Sequence, residues 1–223
     1  MARPLRIEYE GAFYHITARG NERRNIFLSE DDYQKYLAKL SDAIPKYSIV
    51  LHAYVLMGNH YHLIIETPQA NLSAFMQALN SSYTTYFNIK RKRSGHLFQG
   101  RYKAILIDAD SYLLELSRYL HLNPVRAGIV NDPADYPWSS YRAYTTAKAD
   151  TFVTREKLWG MISRSRKQAP QLYADFVKAL IAEPQQNLFK GIYGGMILGT
   201  KAFVVNTLQK ISADTLQRQE VSN

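Results

Sequence analysis

The stretch Ile49-Val-Leu-His-Ala-Tyr-Val-Leu-Met-Gly-Asn-His-Tyr-His-Leu-Ile-Ile-Glu-Thr67 decides the fold. Ile49–Met57 and His60–Thr67 are β-rich runs, and Gly58-Asn59 between them is a two-residue turn signal, so the stretch predicts a β-hairpin. Towards the N-terminus, Tyr14-His-Ile-Thr-Ala-Arg19 alternates and predicts a first strand. Ser29-x-x-Asp32 is a capping signal for a helix with Tyr33, Tyr36, Leu37 and Leu40 at helical spacing, ending near Pro45. Towards the C-terminus, Asn71 is placed to cap a long helix through Phe75, Leu79, Tyr83, Tyr86 and Phe87. Tyr102–Ile107 predicts a short strand. A third helix, capped by Asp110 or Ser111, carries Leu113, Leu116, Tyr119 and Leu120 and should stop before Pro124. The resulting order predicts an α+β fold of the ferredoxin-like, split βαβ kind, one sheet with helices on one face.

Beyond Trp138 the signals weaken. Thr145 to Thr151 is small and polar and reads as a linker, dividing residues 1–144 from an appendage at 145–223. Short helices are expected there over Thr154–Arg166, Gln171–Ala182 and Thr200–Ile211.

The 223 residues carry a formal charge of +9. A surplus of cations favours a polyanionic partner, because neutralising phosphates releases condensed counterions. The surplus is uneven. No acidic residue lies between Glu66 and Asp108, whereas Lys90, Arg91, Lys92, Arg93, Arg101 and Lys103 do. These interleave with His96, Phe98 and Tyr102, a mixture suited to tracking phosphates while bases stack; for Phe98, burial is the expected role. Arg19, Arg23 and Arg24 form a second cluster, and Arg3 and Arg6 lie on an N-terminal arm. Cysteine is absent, which excludes disulfides, thiol nucleophiles and cysteine-held zinc. With no apolar signal core and no run near the ~18 residues of a membrane span, a cytoplasmic protein away from membranes is expected.

Two constellations carry chemistry. His60 and His62 are two apart on a strand, so both imidazoles share a face and can reach one divalent cation, with Tyr61 pointing the other way. Alone, such a pair is more often structural than metal-binding. Tyr119 and Asn123 are four apart on a helix and share a face, which would let the Asn123 amide oxygen complete a metal site while Tyr119 attacks.

At these residues a resemblance emerges. Met57-Gly-Asn-His-Tyr-His-Leu-Ile64 resembles the His-hydrophobe-His motif of single-tyrosine transposases. Arg118-Tyr-Leu-His-Leu-Asn-Pro-Val-Arg-Ala-Gly128 is similar to the tyrosine motif of the branch associated with repetitive extragenic palindromes (REP). Ala18-Arg-Gly-Asn-Glu-Arg-Arg24, His96-Leu-Phe-Gln-Gly-Arg-Tyr-Lys103, Trp138-Ser-Ser-Tyr141 and Leu198-Gly-Thr-Lys-Ala-Phe-Val204 match as well. One departure is Asn123, where many single-tyrosine relatives carry the longer glutamine. The resemblance implies a metal-dependent strand transferase acting on single-stranded or hairpin DNA. Tyr119 would be the nucleophile that becomes linked to a 5′ phosphate, and Mg²⁺ or Mn²⁺ the ion at His60, His62 and Asn123. Histidine pairs by themselves would instead suggest zinc, cobalt or nickel. The family includes dimers, so a monomer and a homodimer are both compatible. Two readings compete: a non-catalytic nucleic-acid-binding module on the same sheet, and a phosphoesterase that uses water.

Overall fold

The structure, a computed structural model, describes residues 7–146, 152–184 and 187–220, the side chains of 212–220 excepted. Strand β1 (Ala12–Arg19) leads into helix α1 (Glu30–Lys46), the hairpin β2 (Val50–Met57) and β3 (His60–Thr67), helix α2 (Leu72–Lys90), strand β4 (Lys103–Ile107) and helix α3 (Ala109–Arg126). The sheet order β2-β3-β1-β4 is that of the expected split βαβ fold, and a two-residue strand β5 (Ile197–Leu198) adds to β4 in parallel. β1 pairs antiparallel with both β3 and β4, so β1 and β3 lie inside the sheet.

The pleat sorts side chains to two faces. On one, Tyr14, Ile16, Tyr61 and Leu63 are buried. Tyr61 packs against Tyr36 of α1, with ring centroids 4.9 Å apart, and its hydroxyl donates to Asn80 of α2 at 2.6 Å. On the other face lie Phe13, His15, Thr17 and Arg19 of β1 with His60 and His62 of β3, and α3 crosses them. Two of the helices therefore cover one face as expected. The third covers the opposite face, where His15, His62 and Ile64 are also buried and need shielding from water.

Helix α4 (Tyr141–Thr145), α5 (Glu156–Ile162), α6 (Ala169–Lys178) and α7 (Lys201–Glu220) complete the chain. The expected linker is thus partly helical at its start, and its residues 147–151 lie outside the described ones. A buried polar knot ties α6 to α3 and β2. The Tyr173 hydroxyl bridges Ser117 and His121, each at 2.8 Å, and His121 Nε2 meets Ser140 Oγ at 2.8 Å. Ser140 accepts the Tyr54 N–H in turn. The edge of β2 is closed by residues 136–140: the Leu56 N–H donates to the Trp138 carbonyl, and Tyr136 donates to the Leu56 carbonyl. Blunting an edge this way denies it to other chains.

Helix boundaries differ from expectation where side chains have other work. Ser29 and Asp32 form the capping box of α1. Asn71 is the N-cap residue of α2 as expected, its carbonyl accepting the Phe75 N–H, but its side chain makes no cap bond and its amide donates instead to the Tyr47 carbonyl at 2.8 Å. α3 starts after Asp108 and runs through Pro124, since a proline in the last turn forfeits only one helical bond. Among the described residues no helix is long and apolar enough to cross a membrane.

Asp32 is fully buried and does more than cap. It accepts from Arg91 at 2.6 Å, Lys90 at 3.0 Å and Tyr86 at 3.1 Å, locking the start of α1 to the end of α2. Burial acts to raise its pKa, but the Leu28 N–H and the two cations outweigh burial and hold the carboxyl below its usual range. Removing Asp32 costs α1 its cap and the tie to α2, while Lys90 and Arg91, partly exposed, can turn to water, so Asp32→Ala should lower stability by about 2–3 kcal/mol. Urea unfolding measures it; a loss under about 1 kcal/mol would contradict the clamp.

Candidate active site

His60 and His62 sit on an interior strand. His62 lies opposite Thr17 and Val55, and His60 opposite Arg19 and Met57, so both are held in register from two sides. Their ring centroids are 5.1 Å apart with planes at 79°. His62 is buried and His60 half-buried.

Each imidazole has one nitrogen engaged. His62 Nδ1 lies 2.9 Å from Nε2 of His15, whose ring stacks on it at 5.1 Å. His60 Nδ1 lies 2.6 Å from Asn59 Oδ1. Asn59 belongs to the β2–β3 turn, which residues 20–27 clamp: the Gly20 N–H donates to the Asn59 carbonyl, and those of Ile26 and Phe27 to the Gly58 carbonyl. That clamp needs a tight bend. Glu22 and Arg23 adopt left-handed backbone, with φ of 55° and 59°, at a cost of about 1–2 kcal/mol each. A Cβ at Gly20 would sit 2.0 Å from the Arg24 carbonyl oxygen, which only glycine avoids.

Tyr119 comes from α3 and meets the histidines edge-on, its ring centroid 6.0 Å from His62 and 6.4 Å from His15. Asn123, one turn further, spends its amide N–H on the Tyr119 carbonyl at 2.9 Å and retains its amide oxygen. Phe189 covers the group, stacked on His15 at 5.3 Å and edge-on to Tyr119 at 5.2 Å. The fold thus joins the tyrosine of α3 to the histidine pair of β3, which is remote from it in sequence. His15 and Phe189 were not singled out from the sequence. His15 had a signal, since alternation along β1 puts it on the face of Thr17 and Arg19; Phe189 lies in the weakly patterned tail and had none.

The histidines are tuned to be neutral. Burial is the main cause in each case, with Arg19 adding repulsion at His60, and His15, His60 and Arg19 adding it at His62. His60 is lowered to about 4, His15 and the structural His121 to about 3, and His62 well below its ordinary value. Neutral imidazoles keep the lone pairs that a divalent ion needs. Among the described residues no group of three or more His, Cys, Asp or Glu could hold a metal. The two imidazoles fit an ion that draws its other ligands from phosphate and water oxygens, and the Asn123 amide oxygen, on the helix that carries Tyr119, would be the further protein donor.

The cations divide into two sets. Lys90 and Arg91 are held by Asp32. Lys92, Arg93, Arg101 and Lys103 are exposed, as are Arg19, Arg23 and Arg24, with Arg24 paired to Glu22 at 2.6 Å. Phe98 is buried and bridges to Gly20, and Gln99 donates to the Arg19 carbonyl. These contacts bring the 19–24 and 96–103 segments to the histidine end of the sheet. Arg3 and Arg6 lie outside the described residues.

A family model described as "Transposase IS200 like" matches residues 8–123, a span that includes both histidines and ends on Asn123. A Haemophilus influenzae protein named as a REP-associated tyrosine transposase is 24% identical over 143 residues, covering 59% of this chain and 81% of the relative. A solved structure of a REP-associated tyrosine transposase bound to a REP hairpin superposes with a TM-score of 0.55 at 17% identity, covering 70% of this chain and 98% of the other. At that identity the likeness is one of fold.

His15, His60, His62 and His121 titrate near 6.5 in the unfolded chain and lower in the fold, so between those values the unfolded state binds more protons. In the metal-free protein the stability from neutral imidazoles should be complete above about pH 6.5 and decline as pH falls towards 4. Urea midpoints at about pH 7.5 and about pH 5 check this; a midpoint that holds or rises at the lower pH would refute it.

Proposed function

As a member of the IS200-like transposase family, the chain is one for which we propose a specific chemistry: it cuts single-stranded DNA beside a REP-type hairpin and rejoins it through Tyr119. The observation that carries this reading is Tyr119 standing edge-on over His62 at 6.0 Å, within the span shared with the family. The named relative and the hairpin-bound structure support the hairpin as the substrate class.

The Tyr119 hydroxyl attacks the phosphorus, its oxygen forms the new P–O bond, and the phenolic proton is lost. The bond to the 3′ oxygen breaks; that oxygen leaves with the electron pair and takes up a proton as a 3′ hydroxyl. The 5′ phosphate stays on Tyr119 as an ester. A second 3′ hydroxyl reverses the sequence on a new partner, so the strand is resealed without an external energy source. Only about 0.1% of a free phenol is ionised at pH 7, so stabilising charge at the phosphate matters more than a strong base. A Mg²⁺ or Mn²⁺ ion at His60, His62 and the Asn123 oxygen would supply that stabilisation when bound. Arg19, beside His60, adds positive charge at the same end. The stack of Phe189 on His15 covers the buried side of the tyrosine and restricts its ring.

Single-stranded flanks would run along Arg19, Arg23, Arg24 and the exposed Lys92, Arg93, Arg101 and Lys103. Arg101 and Lys103 also rim an apolar cavity of about 540 Å³ closed by Tyr14, Ile192 and Met196, a setting in which a base can stack while its phosphate is neutralised.

Tyr119→Phe should abolish cleavage of an end-labelled hairpin oligonucleotide and leave its affinity within about twofold; normal cleavage would defeat the assignment. Chelation should stop the wild type, with Mg²⁺ or Mn²⁺ restoring it, whereas strict dependence on zinc would overturn the choice of ion. Changing Lys92, Arg93, Arg101 and Lys103 to glutamine should flatten the salt dependence of binding by roughly 0.7 for each phosphate no longer neutralised. An unchanged slope would place the DNA elsewhere.

A further inference from the structure

We infer that Asn59 is a positioning residue that fixes the proton of His60 on Nδ1, so that Nε2 is presented as the metal-binding nitrogen; this rests on the metal reading of the pair above. Which group can donate decides the matter. Asn59 Nδ2 gives its hydrogen to the Arg23 carbonyl at 3.1 Å, which settles the orientation of the amide and leaves Oδ1 facing His60. That oxygen accepts only. At 2.6 Å from Oδ1, His60 Nδ1 therefore carries the hydrogen, and the lone pair of the neutral ring is on Nε2.

The lock is built into the backbone. Arg23 offers its carbonyl from a left-handed conformation at φ 59°, adjoining a left-handed Glu22. The Gly20 N–H holds the Asn59 carbonyl at 2.8 Å, so the Asn59 main chain is pinned from the same loop that fixes its side chain. Backbone strain concentrated in one short turn calls for a role that over-determines it, and aiming this carbonyl at Asn59 supplies one. The loop is thus a brace for a ligand's tautomer as well as a carrier of Arg23 and Arg24. A partner that holds the second ring nitrogen orients a metal-binding imidazole and raises its basicity.

The test is nitrogen-15 imidazole NMR on the metal-free protein, with Mg²⁺ and Mn²⁺ affinities measured beside it. Wild type should show His60 as the Nδ1–H tautomer. Asn59→Ala should move it towards Nε2–H, the form a solvated imidazole favours, and weaken metal binding about 10–100-fold. Asn59→Asp, which keeps an acceptor oxygen, should restore the Nδ1–H form. A wild-type His60 protonated on Nε2 would overturn the inference by itself, whatever the variants' folding. So would an unchanged tautomer in a folded Asn59→Ala. Absence of metal affinity in wild type would count against the metal reading, while the tautomer shift in Asn59→Ala would still support the lock.

Discussion

Side chains on a β-strand alternate, and in β3 that alternation puts Tyr61 on one face and His60 and His62 on the other. Tyr61 is buried against α1 and α2, so slipping the register by one residue would drive both histidines into the tyrosine-rich core and turn Tyr61 to the face that α3 crosses. The apolar packing that stabilises the fold therefore also fixes the direction of the imidazoles. Pairing on both sides of β3 adds stiffness, and α3 then only has to cross the open face for Tyr119 to arrive beside His62. Precision in the site is inherited from the core.

Charge is arranged with the same economy. A run of four cations at the end of α2 looks uniform in sequence, but Asp32 takes Lys90 and Arg91 for structure and leaves Lys92 and Arg93 to solvent. Near the histidines Arg19 is the permanent charge that acts on them, and, with burial, it keeps both rings neutral. A cation beside a pair of neutral imidazoles suits the proposed phosphate, whose charge Arg19 would meet together with an ion held by the histidines.

Much of this was legible in the residues themselves. The hairpin, the alternation of β1, the Ser29–Asp32 capping box and the helical spacing around Tyr83 and Tyr119 are local patterns, and the elements formed where they pointed. Elsewhere, tertiary demands overrode the local pattern. Asn71 stands at the N-cap of α2 as expected but its side chain is drawn to the Tyr47 carbonyl, and Asp108, whose carboxylate also accepts from Thr200 and Ser111, took the start of α3. β5, at two residues, is too short to carry any period. The His60–His62 pair was readable because strand geometry makes i and i+2 neighbours. His15, Phe189 and the bracing loop were not, because their roles exist only once distant segments meet.

The most direct measurement is to trap the protein–DNA adduct on a hairpin substrate, digest it, and locate by mass spectrometry the tyrosine that carries the nucleotide. With 17 tyrosines in the chain, the outcome is discriminating. The phosphodiester is expected on Tyr119 and on no other tyrosine. A nucleotide on a different tyrosine would contradict the role given to Tyr119, and so would product with a free 5′ phosphate and no adduct.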